Sequence, residues 1–82
     1  MNNDISIKDF IDLIFTSYYN ESGAYAAGII DKETAIDNFD KHSESVLHEM
    51  DRYSKLLLLS ADHIETVCAM KSRLLRAIEQ LP

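Results

Sequence analysis

Apolar residues recur early in the chain at Ile7, Phe10, Ile11, Ile14, Phe15, Tyr18 and Tyr19. Steps of three and four draw one wide stripe down a helix, because each residue turns by about 100°. Leu13 widens that stripe. Ser6 precedes it as an N-cap, and Asp9 lies in the first turn near the positive end of the helix dipole. The pattern predicts a first helix near residues 7–20. The next stretch, NESGAYAAG at 20–28, has two readings. Either the helix runs on through Gly23, or Ser22 caps a short separate helix. In both, Gly28 suits the position just past a helix end.

A second start signal stands at Asp31, a capping residue followed by Lys32, Glu33 and Thr34. Apolar positions follow at Ile36, Phe39, Val46, Leu47, Met50, Tyr53 and Leu57, with a polar gap at Ser43. In heptad register the seam continues through Ser60, Ile64, Val67, Lys71, Leu74, Ile78 and Leu81. Two architectures fit it. One is a single helix of about 50 residues, roughly 75 Å long, that must dimerise as a coiled coil. The other is a pair of shorter helices folded back as a hairpin.

The stretch YSKLLLLSADHIETV, residues 53–67, favours the hairpin. Leu56 to Leu59 would ring a helix with leucine and leave it no polar face, and a covered corner is one place for such a ring. Ser60 is a good N-cap, and Asp62 and Glu65 come early, where acids are favoured. Lys71, Arg73 and Arg76 come late, where bases are favoured. Ile64, Val67, Cys68, Leu74, Leu75 and Ile78 give this third helix its own stripe. The expected fold is therefore all-α, a small bundle of three main helices near 7–20, 32–58 and 61–80. Its long helical hairpin is expected to dimerise. The 82 residues read as one domain.

Composition narrows the class. A hydrophobic share of 46% with 27% charge suits a globular chain and argues against disorder. Uninterrupted apolar runs stop at four residues, so no membrane association is expected. The N-terminal MNNDISIKDF lacks the basic and apolar regions of a signal peptide. Cys68 stands alone, which excludes an intramolecular disulfide framework and fits a reducing, cytoplasmic setting. On its apolar stripe it reads as a small core residue. The net charge is −6, with eleven acids against four bases in residues 1–54 and three against four in 55–82. That balance disfavours a phosphate-binding surface. It suits solubility, or a basic partner.

Few residues suggest chemistry. In LHEMDRYSKLL, the three residues His48, Glu49 and Met50 resemble the phosphoacceptor box of two-component histidine kinases. The resemblance implies His48 as phosphoacceptor and Glu49 as the group that takes its proton, on a hairpin that dimerises into a four-helix bundle. It departs from the family at Asp51, Arg52 and Tyr53, where Thr or Asn followed by Pro is expected, and no ATP-binding domain follows. Glu44, His48 and Asp51 share a helix face at metal-gripping spacing, but Arg52 breaks the HExxH zinc pattern, and no metal or cofactor is expected. Lys71, Arg73 and Arg76 are the candidate nucleic-acid contacts; three bases without interleaved aromatics make a poor footprint, so nucleic acid is not the expected partner. Tyr18 and Tyr19 are adjacent and cannot both enter one core, so one of them is a candidate for an interface.

The expected function is a non-catalytic protein–protein interaction module. It would be a small acidic cytoplasmic regulator or inhibitor, of the kind found among immunity proteins, antitoxins and phage-encoded inhibitors, and not an enzyme. The expected partner is a protein, including a second copy of the chain. The alternatives are a phosphorelay hairpin using His48, or a nucleic-acid accessory protein using the basic end of the last helix. Leu56, Leu58 and Leu59 need cover from the first helix or another chain. A charge at Leu58 or Leu59 is therefore expected to weaken self-association or unfold the protein, read by sedimentation and circular dichroism; an unchanged state would reject the covered corner.

Overall fold

The first helix, α1, runs from Ile7 to Ala26, the second, α2, from Lys32 to Tyr53, and the third, α3, from Ala61 to Glu79. The computed structural model describes residues 7–54 and 61–82. Leu56 to Leu59 and the two candidate caps Ser6 and Ser60 lie outside the described residues. The architecture is all-α, a small three-helix bundle with no strand among the described residues.

The boundary between α1 and α2 shows why the chain turns there. α1 continues past residue 20 and through Gly23, so the first helix is longer than the apolar stripe predicts. It ends in a Schellman turn: Ile29 N–H donates to Ala24 O at 2.9 Å, and Gly28 N–H to Tyr25 O at 3.0 Å. Gly28 supplies the left-handed conformation this requires, with φ of 76°. Asp31 then caps α2, its carboxylate accepting from Thr34 N–H at 2.7 Å. Hydrogen bonding from the Thr34 side chain, and then from its backbone N–H, holds the Asp31 carboxyl below its usual range.

The second and third helices form an antiparallel hairpin, which excludes the single long helix. Lys32, at the start of α2, reaches the carbonyls of Glu79 and Leu81 at the end of α3. It thereby satisfies acceptors that a helix end leaves open. Lys32 also lies over the Tyr25 ring, 5.7 Å from its centroid, and the Tyr25 hydroxyl donates to the Pro82 carbonyl. At the other end, α2 extends to Tyr53, and Ser54 folds its hydroxyl back onto Asp51 O at 2.7 Å; residues 55–58 of the expected helix lie outside the described residues.

The core is a cluster of Phe10, Ile14, Ala35, Phe39, Met50, Val67 and Ile78. Every described member of the predicted heptad seam is buried or half-buried, polar members included. Ser43 is fully buried, and its hydroxyl donates to Phe39 O at 2.7 Å within its own helix. Two expectations fail at the edges of stripes, at Leu13 and Cys68, and the Tyr18–Tyr19 pair divides there. Leu13 does not widen the core face of α1; it is 55% exposed. Tyr19, placed on the same stripe, is 65% exposed. Cys68 is exposed as well. Each sits about 100° from a buried or half-buried neighbour (Ile14, Tyr18 or Val67), and in a thin bundle that rotation carries a side chain out to solvent.

The two glycines make opposite demands. Gly23 lies in the interior of α1, and a methyl group added there would meet nothing within 4 Å, so Gly23→Ala is expected to stabilise the monomer by about 0.5–1 kcal/mol. Gly28→Ala meets the same open space at a positive φ and is expected to cost about 1–2 kcal/mol. Urea titrations of both variants check the opposite signs.

Candidate functional site

The outward face of α1 departs most from an ordinary helix surface. Residues 13–30 contain a single charged side chain, Glu21. That one is engaged inside the bundle, accepting from Asn38 Nδ2 of α2 at 2.9 Å. The exposed part of the helix beyond Asp12 therefore carries no charge. Thr16, Asn20, Gly23 and Ala27 are all exposed and fall in one row at steps of four, three and four. Leu13 flanks the row on one side and Tyr19 on the other. A surface helix normally turns charged residues to water on this face.

The adjacent tyrosines divide as their geometry demands. Tyr18 is half-buried and meets the Phe39 ring edge-on at 6.3 Å. Tyr19 points out and stacks against the half-buried Phe15 with centroids 6.2 Å apart. Tyr18 also meets the Tyr19 ring edge-on at 5.4 Å, so two neighbours hold a ring that remains 65% exposed.

A second region lies between α2 and α3. Glu33, Asp37, Asp40 and Glu44 follow one another at steps of four, three and four along α2. Glu33, Asp37 and Asp40 line an open groove of about 550 Å³ whose floor includes Ile36 and Leu75. Several of these carboxylates have partners. Lys41 pairs with Asp37 at 2.9 Å, and Lys71 of α3 bridges Asp40 at 3.1 Å and Glu44. The Lys71 side chain is only 14% exposed. Burial pulls its ammonium downward, but the hydrogen bonds to Glu44 and Asp40 outweigh that and raise its pKa above 10.5.

That bridge rearranges the residues expected to carry chemistry. Lys71 faces α2, whereas Arg73 and Arg76 are exposed, so the three bases do not form one patch. Glu44 is held by Lys71, and among the described residues no group of three potential ligands is placed to hold a metal. His48 is exposed, and Glu49 pairs with Arg52 at 3.2 Å. Leu56, Leu58 and Leu59 lie outside the described residues.

One contact was not legible in the sequence. Ser17 of α1 and His42 of α2 share a hydrogen bond, Oγ to Nδ1, at 3.3 Å. A hydroxyl beside an imidazole is the start of a nucleophilic pair. Here Ser17 is 7% exposed, and both residues sit within helices, whose backbone N–H groups are already committed. The pair clasps α1 to α2.

No helix among the described residues is long and apolar enough to cross a membrane. No family model matches the chain, and no curated protein or solved structure shows significant similarity to it.

Lys71 gives a direct test of the α2–α3 contact. Lys71→Met keeps the apolar stem and removes the charge; the expected loss is up to about 1 kcal/mol, or a Tm lower by about 4–8 °C. A raised lysine pKa stabilises the fold fully below the ordinary value of 10.5, and that stabilisation is lost as pH rises through the raised value. The Tm gap between wild type and Lys71→Met should therefore be present at neutral pH and close in strong alkali. Equal Tm values at neutral pH would show that the bridge contributes nothing.

Proposed function

We propose that this chain is a non-catalytic protein–protein interaction module, a small cytoplasmic regulator or inhibitor, and that it works as a homodimer or in complex with another protein. The observation that supports this reading is the charge-free outer face of α1, with Leu13 and Tyr19 both more than half exposed. An exposed, ring-stacked tyrosine beside small residues has the form of an interface anchor. Its ring is already held by Phe15, so little side-chain freedom is left to lose on binding. The surrounding face offers no charge whose water would have to be stripped away.

Installing a photo-reactive side chain at Asn20 in the native host tests the reading. Cross-links are expected from position 20 and not from Glu65, on an exposed part of α3. Tyr19→Glu in the same chain should weaken capture by roughly 30-fold or more, while the helical circular dichroism stays unchanged. Absence of adducts from position 20 in a folded chain would overturn the proposal.

A further inference from the structure

We infer that the outer face of α1 seats a second copy of this chain, with the two α1 helices antiparallel about a two-fold axis near Tyr19 and Asn20. The inference rests on the interaction-module reading and names its partner.

Charge is the first argument. Two copies that each carry −6 repel one another wherever carboxylates meet. α2 presents the row from Glu33 to Glu44, and exposed Asp62, Glu65 and Glu79 lie along α3. The face from Leu13 to Ala27 brings no carboxylate of its own to the contact. A basic partner would gain no ion pair there, whereas a second acidic copy avoids its main obstacle.

Shape is the second argument. An antiparallel pair about that axis sets Leu13 of one copy opposite Ala27 of the other, and Thr16 opposite Gly23. Leu13 and Thr16 then meet small residues, Tyr19 lies beside its own copy near the axis, and the same patch serves both copies, as a two-fold interface requires. Gly23 gives independent support. An exposed helical glycine is costly, and nothing in the monomer occupies the space above it. A second helix packed closely over the row would use that space.

The face is about 21 Å long from Leu13 to Ala27. One helix pair of that length buries less than a standard interface, so the dimer should be weak, with a Kd on the order of 10–100 µM. Screening the mutual repulsion should tighten it as salt is raised, the reverse of an interface built on ion pairs.

Sedimentation equilibrium of the purified full chain, from about 1 µM to about 1 mM, is the primary test. A dimer is expected, tighter at high salt, and weakened at least tenfold or so by Tyr19→Glu and by Gly23→Arg. Both sites are exposed in the monomer, and unchanged circular dichroism would confirm that each variant folds. In a Cys68→Ser background, Asn20→Cys should form a disulfide-linked dimer on oxidation. Leu13→Cys and Ala27→Cys should link to one another in a mixture more readily than to themselves. A chain that stays monomeric at about 1 mM overturns the inference. So does a dimer that ignores both α1 substitutions and dissociates with Leu58→Glu. Cross-links in the host from position 20 to a different protein, with a monomeric purified chain, would leave the interaction-module reading standing and remove the second copy.

Discussion

Phe39 is fully buried, touches the edge of Tyr18, and shares its cluster with Val67 and Ile78. Among the described residues, that cluster and the half-buried side chains packed against it form the interior. The molecule measures about 41 × 27 × 15 Å, and a body 15 Å thick has room for little more than one layer of inward-facing side chains. Each helix can therefore bury only a narrow strip. For α1 the strip is centred on Phe10, Ile14 and Ser17. Apolar residues off that line have no interior to enter. The thin core and the exposed Leu13 and Tyr19 are two aspects of one geometric limit.

Within such a core, polar residues are tolerated where a partner is close at hand. Ser43 meets its need inside its own turn, so it costs the seam only its lost apolar area. Lys71 is met from the neighbouring helix by two carboxylates that remain half or more exposed, so neither becomes a buried charge. Lys32 does the same at the open end of the hairpin, closing carbonyls of the last turn of α3. Lys71 and Lys32, one near the middle of the hairpin and one at its end, specify the register in which α2 and α3 lie. The Ser17–His42 and Glu21–Asn38 contacts add polar links between α1 and α2.

The helices were legible because their signals are local. Asp31 caps the residue its spacing indicates, and Gly28 takes the conformation that few other residues adopt cheaply. The heptad register also survived, with Ser43 and Lys71 inside the seam although they read as interruptions of it. What periodicity cannot supply is the width of the strip each helix buries. That width depends on how many helices surround it, and it decided the fates of Leu13, Tyr19 and Cys68. The sequence leaves the end of α1 open at residues 20–28, and the helix takes the continuous reading, with Gly23 mid-helix at a modest propensity cost. The uncharged outer face was present in the sequence as a long gap between Asp12 and Asp31 broken only by Glu21. It became a surface only when Glu21 was seen to turn toward Asn38.

The Lys71 bridge also sets a contrast in chemical access. Amine-directed acylating reagents require an unprotonated, accessible amine. Lys8 and Lys41, with 80% and 72% of their side chains exposed, meet the access requirement. Lys71 is sheltered between two helices, with its side chain 14% exposed, so it is the slow site of the three. Its labelling rate becomes an internal gauge of hairpin opening, one that reports separation of α2 from α3 without a probe having to be added to the chain.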